Sequence, residues 1–349
     1  MNDVVMQNEQ RIRKQFDLIV NAPALFNAII SGIEFGIFKF LSEKQKANFQ
    51  DLTEFTNLQP DKLRPLLQAL CTTELIYKEN ECYQNSLVAK ELAEEGEDSW
   101  RHILLGWQKI YYPAFVHMTE ALREGTNAKA LQDYVGTEPT LYQRLGHDLE
   151  RQKIFHAAMG AFSLKAMPAL VQHPEFNTVQ HLLDIGGNDG TTATMLASQH
   201  PELRITIFDL PNVTEVAEHT KIKNNEKQID LHPGDLFKDS FPQGVDAILF
   251  SHVLEIFSAA TVLFLLEKAF QALPSGGKIF IYGHTVSDDE QRGLYSARLS
   301  LYLNILASGE GMAYPVKDWI SWLQQIGFVD IKATTDLPYE HSFIIGWKP

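Results

Sequence analysis

Glycines and aspartates cluster around one short turn in the middle of the chain, where together they could bind a ligand. Gly186 and Gly187 follow Asp184 closely, and Asp209 ends the next apolar run. Glycines let the backbone approach a ligand because they have no side chain to obstruct it. A carboxylate at the end of a strand can accept hydrogen bonds from both hydroxyls of a ribose. This spacing predicts a nucleotide site.

The charges beside the glycines favour one kind of nucleotide. A dinucleotide site has the spacing G-x-G-x-x-G and places a pyrophosphate at a helix N-terminus. Here the turn reads DIGGNDG, with Asp184 and Asp189 on its flanks. These carboxylates would repel a pyrophosphate, whereas they would suit a ligand that carries an ammonium and a sulfonium group. The turn therefore predicts a cationic nucleotide ligand.

The elements around the turn have the order strand, turn, helix, strand. Residues 181–185 and 203–208 are short apolar runs typical of buried parallel strands, and residues 191–199 are helix formers. The same alternation continues downstream, which predicts a doubly wound parallel sheet. The further strands are predicted at 229–232, 247–251, 279–284 and 342–347, with helices at 259–273 and 298–306.

The turn DIGGNDG, followed by FDLPNV at 208–213, resembles the S-adenosyl-L-methionine (SAM) site of class I methyltransferases. It is most similar to the small-molecule O-methyltransferases, which include plant caffeate and acetylserotonin enzymes and bacterial natural-product enzymes. The resemblance extends over nearly the whole chain. It implies an α/β protein, with a Rossmann-like seven-stranded class I methyltransferase domain and an N-terminal, mostly α, winged-helix-like dimerisation domain. The implied boundaries are 1–100 for the dimerisation domain, 101–175 for a helical connector that lines the active site, and 176–349 for the SAM-binding catalytic domain.

The resemblance also implies which residues bind SAM. The family's G-D-x-F run matches GDLF at 234–237, which would place Asp235 against the adenine amino group. The family's F-x-x-A-M-x-x-x-S run matches residues 155–163, where Met159 would pack near the adenosyl group and Ser163 would reach the methionine carboxylate. An amphipathic connector helix would explain that second run equally well. The predicted cofactor-binding residues are Asp184, Gly186, Gly187, Asp209, Leu210, Asp235, Leu236, Ser251, Met159 and Ser163.

The family pattern breaks after the fourth strand. In the resembled family a histidine in an L-H-D-W run removes a proton from the acceptor, and the corresponding run here, VLEIF, has Glu255 in its place. A glutamate has a pKa of about 4.3 and a phenol about 10, so full proton transfer would be uphill by about 8 kcal/mol. Three interpretations are open. Glu255 could be a base whose pKa is raised by burial, His252 could be the base, or the acceptor could need none.

Other side chains are candidates for contact with the acceptor, although each could equally be a core or surface residue. The acidic residues that accompany the histidine in the family have no clear match in SLYLN at 300–304. The chain has two cysteines, no C-x-x-C and no paired histidine spacing, which predicts that it holds no metal. The predicted substrate residues are Trp107, Tyr111, His156, Arg298 and Tyr302.

The N-terminal region combines helices with a β wing. Residues 11–41 carry more apolar surface than one small domain needs, which favours burial against a second subunit. Residues 49–70 read as helix, turn, helix, followed by a short wing, an arrangement that binds DNA in many proteins. Only Lys62 and Arg64 supply cations on the second helix, and phosphate contacts dominate DNA affinity, so dimerisation is the better prediction.

Composition limits the partners and the compartment. The 349 residues carry a formal net charge of −14, which argues against nucleic acid and anionic membranes as partners. Few cysteines and a polar N-terminus without an apolar signal region predict a cytoplasmic protein. We therefore expect a homodimeric SAM-dependent methyltransferase that acts on a small aromatic or natural-product acceptor. Oxygen is the expected acceptor atom. The alternatives are C- or N-methylation, cyclisation of SAM with release of methylthioadenosine, and a winged-helix regulator that senses SAM.

Overall fold

The computed structural model describes residues 2–220 and 228–349. Contacts divide the chain into two compact units, one formed by the residues up to 113 with 150–163 and the other by residues 114–149 with 164–349. Residues 101–175, the predicted connector, are divided between these two units. Each unit has its own hydrophobic core.

The first unit is mostly helical and contains a three-stranded sheet with the order β1-β3-β2. Its core is formed by buried apolar side chains that include Phe38, Leu52 and Leu67. The elements are α1 (Asn2–Glu34), α2 (Ile37–Lys44), β1 (Ala47–Asn48), α3 (Phe49–Thr56), α4 (Pro60–Thr72), β2 (Ile76–Glu79), β3 (Cys82–Asn85), α5 (Leu87–Glu91) and α6 (Trp100–Gly106), then a π-helical turn (Trp107–Tyr111) and α7 (Tyr112–Ala114).

Local sequence explains the start of α3. The side chain of Asn48 accepts a hydrogen bond from the Asp51 N–H at 2.9 Å, and the Asp51 carboxylate accepts one from the Asn48 N–H at 2.9 Å. This reciprocal pair satisfies two backbone donors that a helix start leaves without partners. Helix α3 therefore begins where the short strand β1 ends.

Helix α1 exposes a large apolar surface within the described chain. Phe16 is 53% exposed and Ile19 is 68% exposed. By length and composition alone, two helical stretches could cross a membrane, Met6–Glu34 and Leu149–Val171, although packed core helices and signal sequences pass the same criterion. The expected apolar surface near the N-terminus is therefore present on α1.

The second unit is a seven-stranded sheet with helices on both faces, as predicted. The strand order is β6-β5-β4-β7-β8-β10-β9; β4 to β8 run parallel, and β10 is antiparallel to both of its neighbours. The strands are β4 (His181–Ile185), β5 (Arg204–Asp209), β6 (Ile229–Pro233), β7 (Ala247–Ser251), β8 (Lys278–His284), β9 (Val329–Leu337) and β10 (His341–Trp347). The helices are α8 (Met118–Glu124), α9 (Ala128–Leu131), α10 (Leu141–Leu145), α11 (Leu149–Val171), α12 (Thr191–Gln199), α13 (Pro211–Thr220), α14 (Ala259–Ala272), α15 (Leu294–Tyr302) and α16 (Val316–Ile326), with residues 150–163 of α11 belonging to the first unit.

The register of the parallel strands brings the predicted site residues to one edge of the sheet. Ile185 pairs with Phe208 on β5 and with Phe250 on β7, and Ser251 pairs with Tyr282 on β8. The carboxyl ends of these strands therefore meet along one edge. Ligands bind at that edge in open α/β sheets.

Candidate functional site

The turn after β4 requires glycine at two successive positions. Gly186 has a φ of 70°, and a Cβ there would lie 2.7 Å from a methyl group of Val253. A Cβ on Gly187 would lie 2.8 Å from Oδ2 of Asp184. Any side chain would have to displace these neighbours, so glycine is strongly favoured at both positions.

Asp184 carries a buried carboxylate that lacks a counter-charge. The residue is 1% exposed, and its Oδ2 accepts no hydrogen bond from the described residues. Burial, together with the nearby charge of Asp209, raises the pKa of Asp184 to about 7. An isolated buried acceptor is costly, and a bound cationic group would satisfy it. The ammonium group of SAM fits this position.

Asp209 ends β5 with its carboxylate held by the backbone. Oδ2 accepts the Asn188 N–H at 2.9 Å, and Oδ1 accepts the Leu210 N–H at 2.7 Å. Burial raises the pKa of Asp209, while these two hydrogen bonds oppose the rise. Each oxygen keeps a lone pair that can accept a further bond, as a ribose with two hydroxyls requires. The positions of the Asp184 and Asp209 carboxylates therefore suit SAM, a cationic nucleotide of the kind that the sequence predicts.

The other predicted cofactor residues of the second unit have varied surroundings. The Asp235 carboxylate contacts Lys238 Nζ at 2.6 Å and accepts the Phe237 N–H at 2.9 Å, and the hydrogen bond with Lys238 lowers its pKa. The Leu236 carbonyl accepts a hydrogen bond from a lysine, and Ser251 Oγ lies 3.4 Å from Nδ1 of His252. The adenine contact of Asp235 stays a prediction.

Five predicted residues lie in the first unit, namely Trp107, Tyr111, His156, Met159 and Ser163. The structure brings two of them together, because the Tyr111 hydroxyl donates to Met159 Sδ at 3.3 Å. Trp107 and Tyr111 begin and end the π-helical turn, a rare conformation that often occurs at functional sites. His156 is exposed and its ring contacts Phe155, and Ser163 is half-buried.

Glu255 lies in a short helical turn directly after β7 and is 5% exposed. Burial raises its pKa to about 7. The carboxylate occupies space that Gly283 leaves open, since a Cβ there would lie 2.7 Å from Oε1 of Glu255. Glu255 is therefore a buried group whose pKa is close to neutral pH.

Two tyrosines accompany Glu255 in the second unit. Burial of its hydroxyl raises the pKa of Tyr142 to about 12, although the residue as a whole is 38% exposed, and the Glu255 charge adds to the rise. The nearby hydroxyl of Tyr302, the predicted substrate residue, which is 3% exposed, opposes this rise in the pKa of Tyr142. A second π-helical turn, Leu303–Ala307, follows Tyr302 directly. Tyr142 was not among the predicted site residues, because its sequence position is that of an ordinary core aromatic.

His252 has different surroundings from those of Glu255. The backbone φ of His252, 56°, is uncommon for a residue other than glycine. The Nε2 atom of His252 lies 2.7 Å from Nε2 of His341. Burial, and then the proximity of His341, lower the pKa of His252 well below its ordinary value. A weakly basic imidazole is a poor proton acceptor, so Glu255 is the better candidate. The charge of Arg298 contributes to the lowered pKa of the neighbouring His284.

Comparison with known proteins identifies the family. The profile of the O-methyltransferase domain family matches residues 115–329. The tetracenomycin 8-O-methyltransferase TcmO of Streptomyces glaucescens is 29% identical over 92% of this chain and 93% of its own. The L-tyrosine C(3)-methyltransferase of Streptomyces lavendulae is 28% identical over 89% of this chain and 85% of its own.

Structural comparison leads to the same family. The solved structure of the SAM-dependent methyltransferase SibL, in its apo form, is 29% identical to this chain and superposes with a TM-score of 0.88. The match covers 96% of this chain and 99% of that one. The predictions of fold, cofactor and enzyme class are confirmed, and a SAM-sensing regulator is not favoured. The chain belongs to the O-methyltransferase domain family and is a SAM-dependent methyltransferase of small molecules.

Proposed function

We propose that this enzyme methylates the phenolic hydroxyl of a small aromatic natural product and that Glu255 removes the hydroxyl proton. The observation that carries the proposal is the burial of Glu255, which raises its pKa to about 7. The gap to a phenol is then about 3 pKa units, or about 4 kcal/mol, which is half of that for an exposed glutamate. A base whose pKa is near the working pH is the most effective kind.

The surrounding residues have distinct tasks in this proposal. SAM, when bound, supplies a methyl group activated by the adjacent sulfonium. Asp184 and Asp209 hold its ammonium and ribose groups, and the family-based predictions add Asp235 and Met159. The hydroxyls of Tyr142 and Tyr302 lie near each other, and the Glu255 charge acts on Tyr142, so the two hydroxyls can orient an acceptor oxygen for Glu255. Alignment and removal of one proton are the main requirements for methyl transfer to oxygen.

Replacing the carboxylate tests the proposal. With L-tyrosine and a panel of hydroxynaphthoates as acceptors, we expect Glu255→Gln to lower kcat by roughly 10²–10⁴-fold, because the amide cannot accept the proton. The dissociation constant of SAM, measured by calorimetry, should stay unchanged. Glu267→Gln on α14 is the matched control and should keep full turnover. Full turnover by Glu255→Gln would falsify the role of Glu255.

Methylation at carbon is the second candidate, because the relative from Streptomyces lavendulae is named for C(3)-methylation of tyrosine. Removing the phenolic proton also makes the neighbouring ring carbon nucleophilic, so Glu255 would have the same first task. Product NMR separates the two reactions, since a C-methylated phenol keeps its hydroxyl. Methylthioadenosine formed from SAM alone would indicate cyclisation instead.

We infer that residues 1–100 form a winged-helix-like module that joins two copies of the chain. The support is the exposed apolar surface of α1 and the combination of α3, α4 and a three-stranded sheet. Lys62, one of the few cations of α4, already pairs with Asp61 at 3.0 Å, which weakens a nucleic-acid interpretation. Residues 101–175 would line the acceptor site and residues 176–349 would hold SAM.

We also propose that the enzyme works in the cytoplasm, in secondary metabolism and without a membrane. The net charge of −14 would repel anionic lipids, and the free thiols of Cys71 and Cys82 suit a reducing compartment. Cell fractionation tests this proposal. Recovery in the membrane pellet, resistant to high salt, would contradict it.

A further inference from the structure

Three histidines converge at the site edge of the second unit. His252 follows β7, His284 ends β8 and His341 begins β10. Their ring nitrogens all lie within 4.8 Å of one another. Among residues 2–220 and 228–349, these three side chains lie close enough together to hold a metal ion. The three histidines are far apart in the sequence, so the residue spacings that are typical of metal sites did not predict this group.

Hydrogen bonds orient two of the rings toward a common point. His341 Nδ1 lies 2.8 Å from the Pro338 carbonyl oxygen, so Nδ1 donates and the Nε2 lone pair faces His252 at 2.7 Å. His252 then donates from Nε2 in the metal-free state. If its proton moves to Nδ1, the Ser251 oxygen at 3.4 Å can accept it, and a second lone pair is released. A backbone carbonyl that fixes the outer nitrogen is typical of histidines that bind metals.

We propose that His252, His284 and His341 bind one divalent transition-metal ion, with zinc as the expected occupant. A tetrahedral ion with bonds of about 2.0–2.1 Å separates its nitrogen ligands by about 3.3 Å. The His252–His341 pair must therefore open by about 0.6 Å, which small side-chain rotations provide. Three imidazoles without a carboxylate select zinc, cobalt, nickel or copper over magnesium and calcium.

The number of protein ligands predicts an open fourth position occupied by an anion. Three protein ligands leave one position free on a four-coordinate ion. An ion bound by three neutral rings keeps its charge of +2, because the rings neutralise none of it. Hydroxide, or a phenolate or carboxylate on a small molecule, would balance that charge. The site would thus add an anion-binding position beside the predicted cofactor residue Ser251.

Cobalt(II) titration of the tag-free, full-length, chelator-treated protein tests the proposal. We expect one ion per chain, a strong visible absorption band typical of four-coordinate cobalt, loss of the band on adding zinc, and a shifted band with azide. His284→Gln should weaken cobalt binding by at least about tenfold, because one of three ligands is lost. His232→Gln, which changes an exposed histidine of β6, is the control and should bind like the wild type.

The wild-type titration alone decides the matter if His284→Gln does not fold, which circular dichroism will reveal. A wild-type protein that develops no visible band would overturn the proposal. The same holds if folded His284→Gln binds cobalt as tightly as the wild type. An azide-insensitive band would overturn the open fourth position.

Discussion

Two carboxylates at neighbouring strand ends, Asp184 and Asp209, are both costly to ionise, and the charge of Asp209 adds to the cost for Asp184. Burial raises the pKa of both, and only backbone N–H groups counter this for Asp209. The pair is therefore poorly neutralised until a cationic ligand binds. Affinity for SAM and stability of the free enzyme should depend on these residues in opposite directions.

Asp184→Asn tests this opposition. The pKa of Asp184 in the folded protein, about 7, is above its ordinary value of 3.8. The stability that the folded protein gains from the protonated carboxyl is therefore fully present below pH 3.8 and is lost as the pH rises through 7. The loss corresponds to about 4 kcal/mol at most. The neutral amide avoids it, so urea denaturation should show the variant gaining on the ligand-free wild type between pH 4 and pH 8.

The same variant should bind SAM at least about tenfold more weakly, since it loses a charged hydrogen bond. Asp235→Asn is the control for stability, because the pKa of Asp235 is lowered and its pH dependence has the opposite sign. A stability difference for Asp184→Asn that does not change with pH would refute the buried-charge explanation.

Individual residues could be assigned to the site from the sequence only where the signal was local. The glycine turn, Asp209 and Glu255 each lie in a contiguous run that can be recognised without knowing the fold. Tyr142 could not be assigned, because its relation to Glu255 depends on how α10 packs. The raised pKa of Glu255 results from burial, which the spacing of residues in the sequence does not show.

At the scale of elements, the turn after β4 can be tested with a matched pair of glycines. Gly186 and Gly244 both have positive φ, 70° and 83°, but only Gly186 is crowded. Alanine in the left-handed region costs roughly 1–2 kcal/mol. Gly244→Ala should show only that cost in urea denaturation. Gly186→Ala should lose more, and it should also weaken SAM binding because Val253 must move. Equal losses for the two variants would contradict the steric account.

The strands show which elements a sequence can reveal. Six strands of the large sheet were predicted within one residue or so of their observed bounds. For the five inner strands, burial on both faces produces continuous apolar runs. Strand β6 is partly exposed at the other edge, and its prediction rested on the alternation of strands and helices. Strand β9 was not predicted. It lies at the sheet edge and is mostly exposed, so its residues, VDIKATTDL, alternate too weakly to be recognised.

For the whole molecule, the exposed surface of α1 predicts self-association. We expect light scattering to give the mass of a dimer for the wild type and of a monomer for Phe16→Asp/Ile19→Asp, because two charges replace exposed apolar side chains. Gln10→Asp/Gln15→Asp adds the same charge without removing apolar surface and should remain dimeric.

Vesicle sedimentation completes this test, because α1 is also long and apolar enough to enter a lipid phase. Vesicles of neutral phosphatidylcholine should leave the wild-type protein in the supernatant. A wild-type monomer that sediments with these vesicles would contradict the dimer and would identify lipid as the partner of α1.

The position of β10 has a consequence for biosynthesis. Although β10 follows β9 in the chain, it lies between β8 and β9 in the sheet. Until residues 341–347 have left the ribosome, β8 presents an unpaired edge of buried, apolar residues, and β9 has no neighbour. Nascent chains that stall in this interval would be prone to aggregate and would depend on chaperones. The supply of active enzyme should therefore be sensitive to how quickly the codons for residues 341–347 are translated.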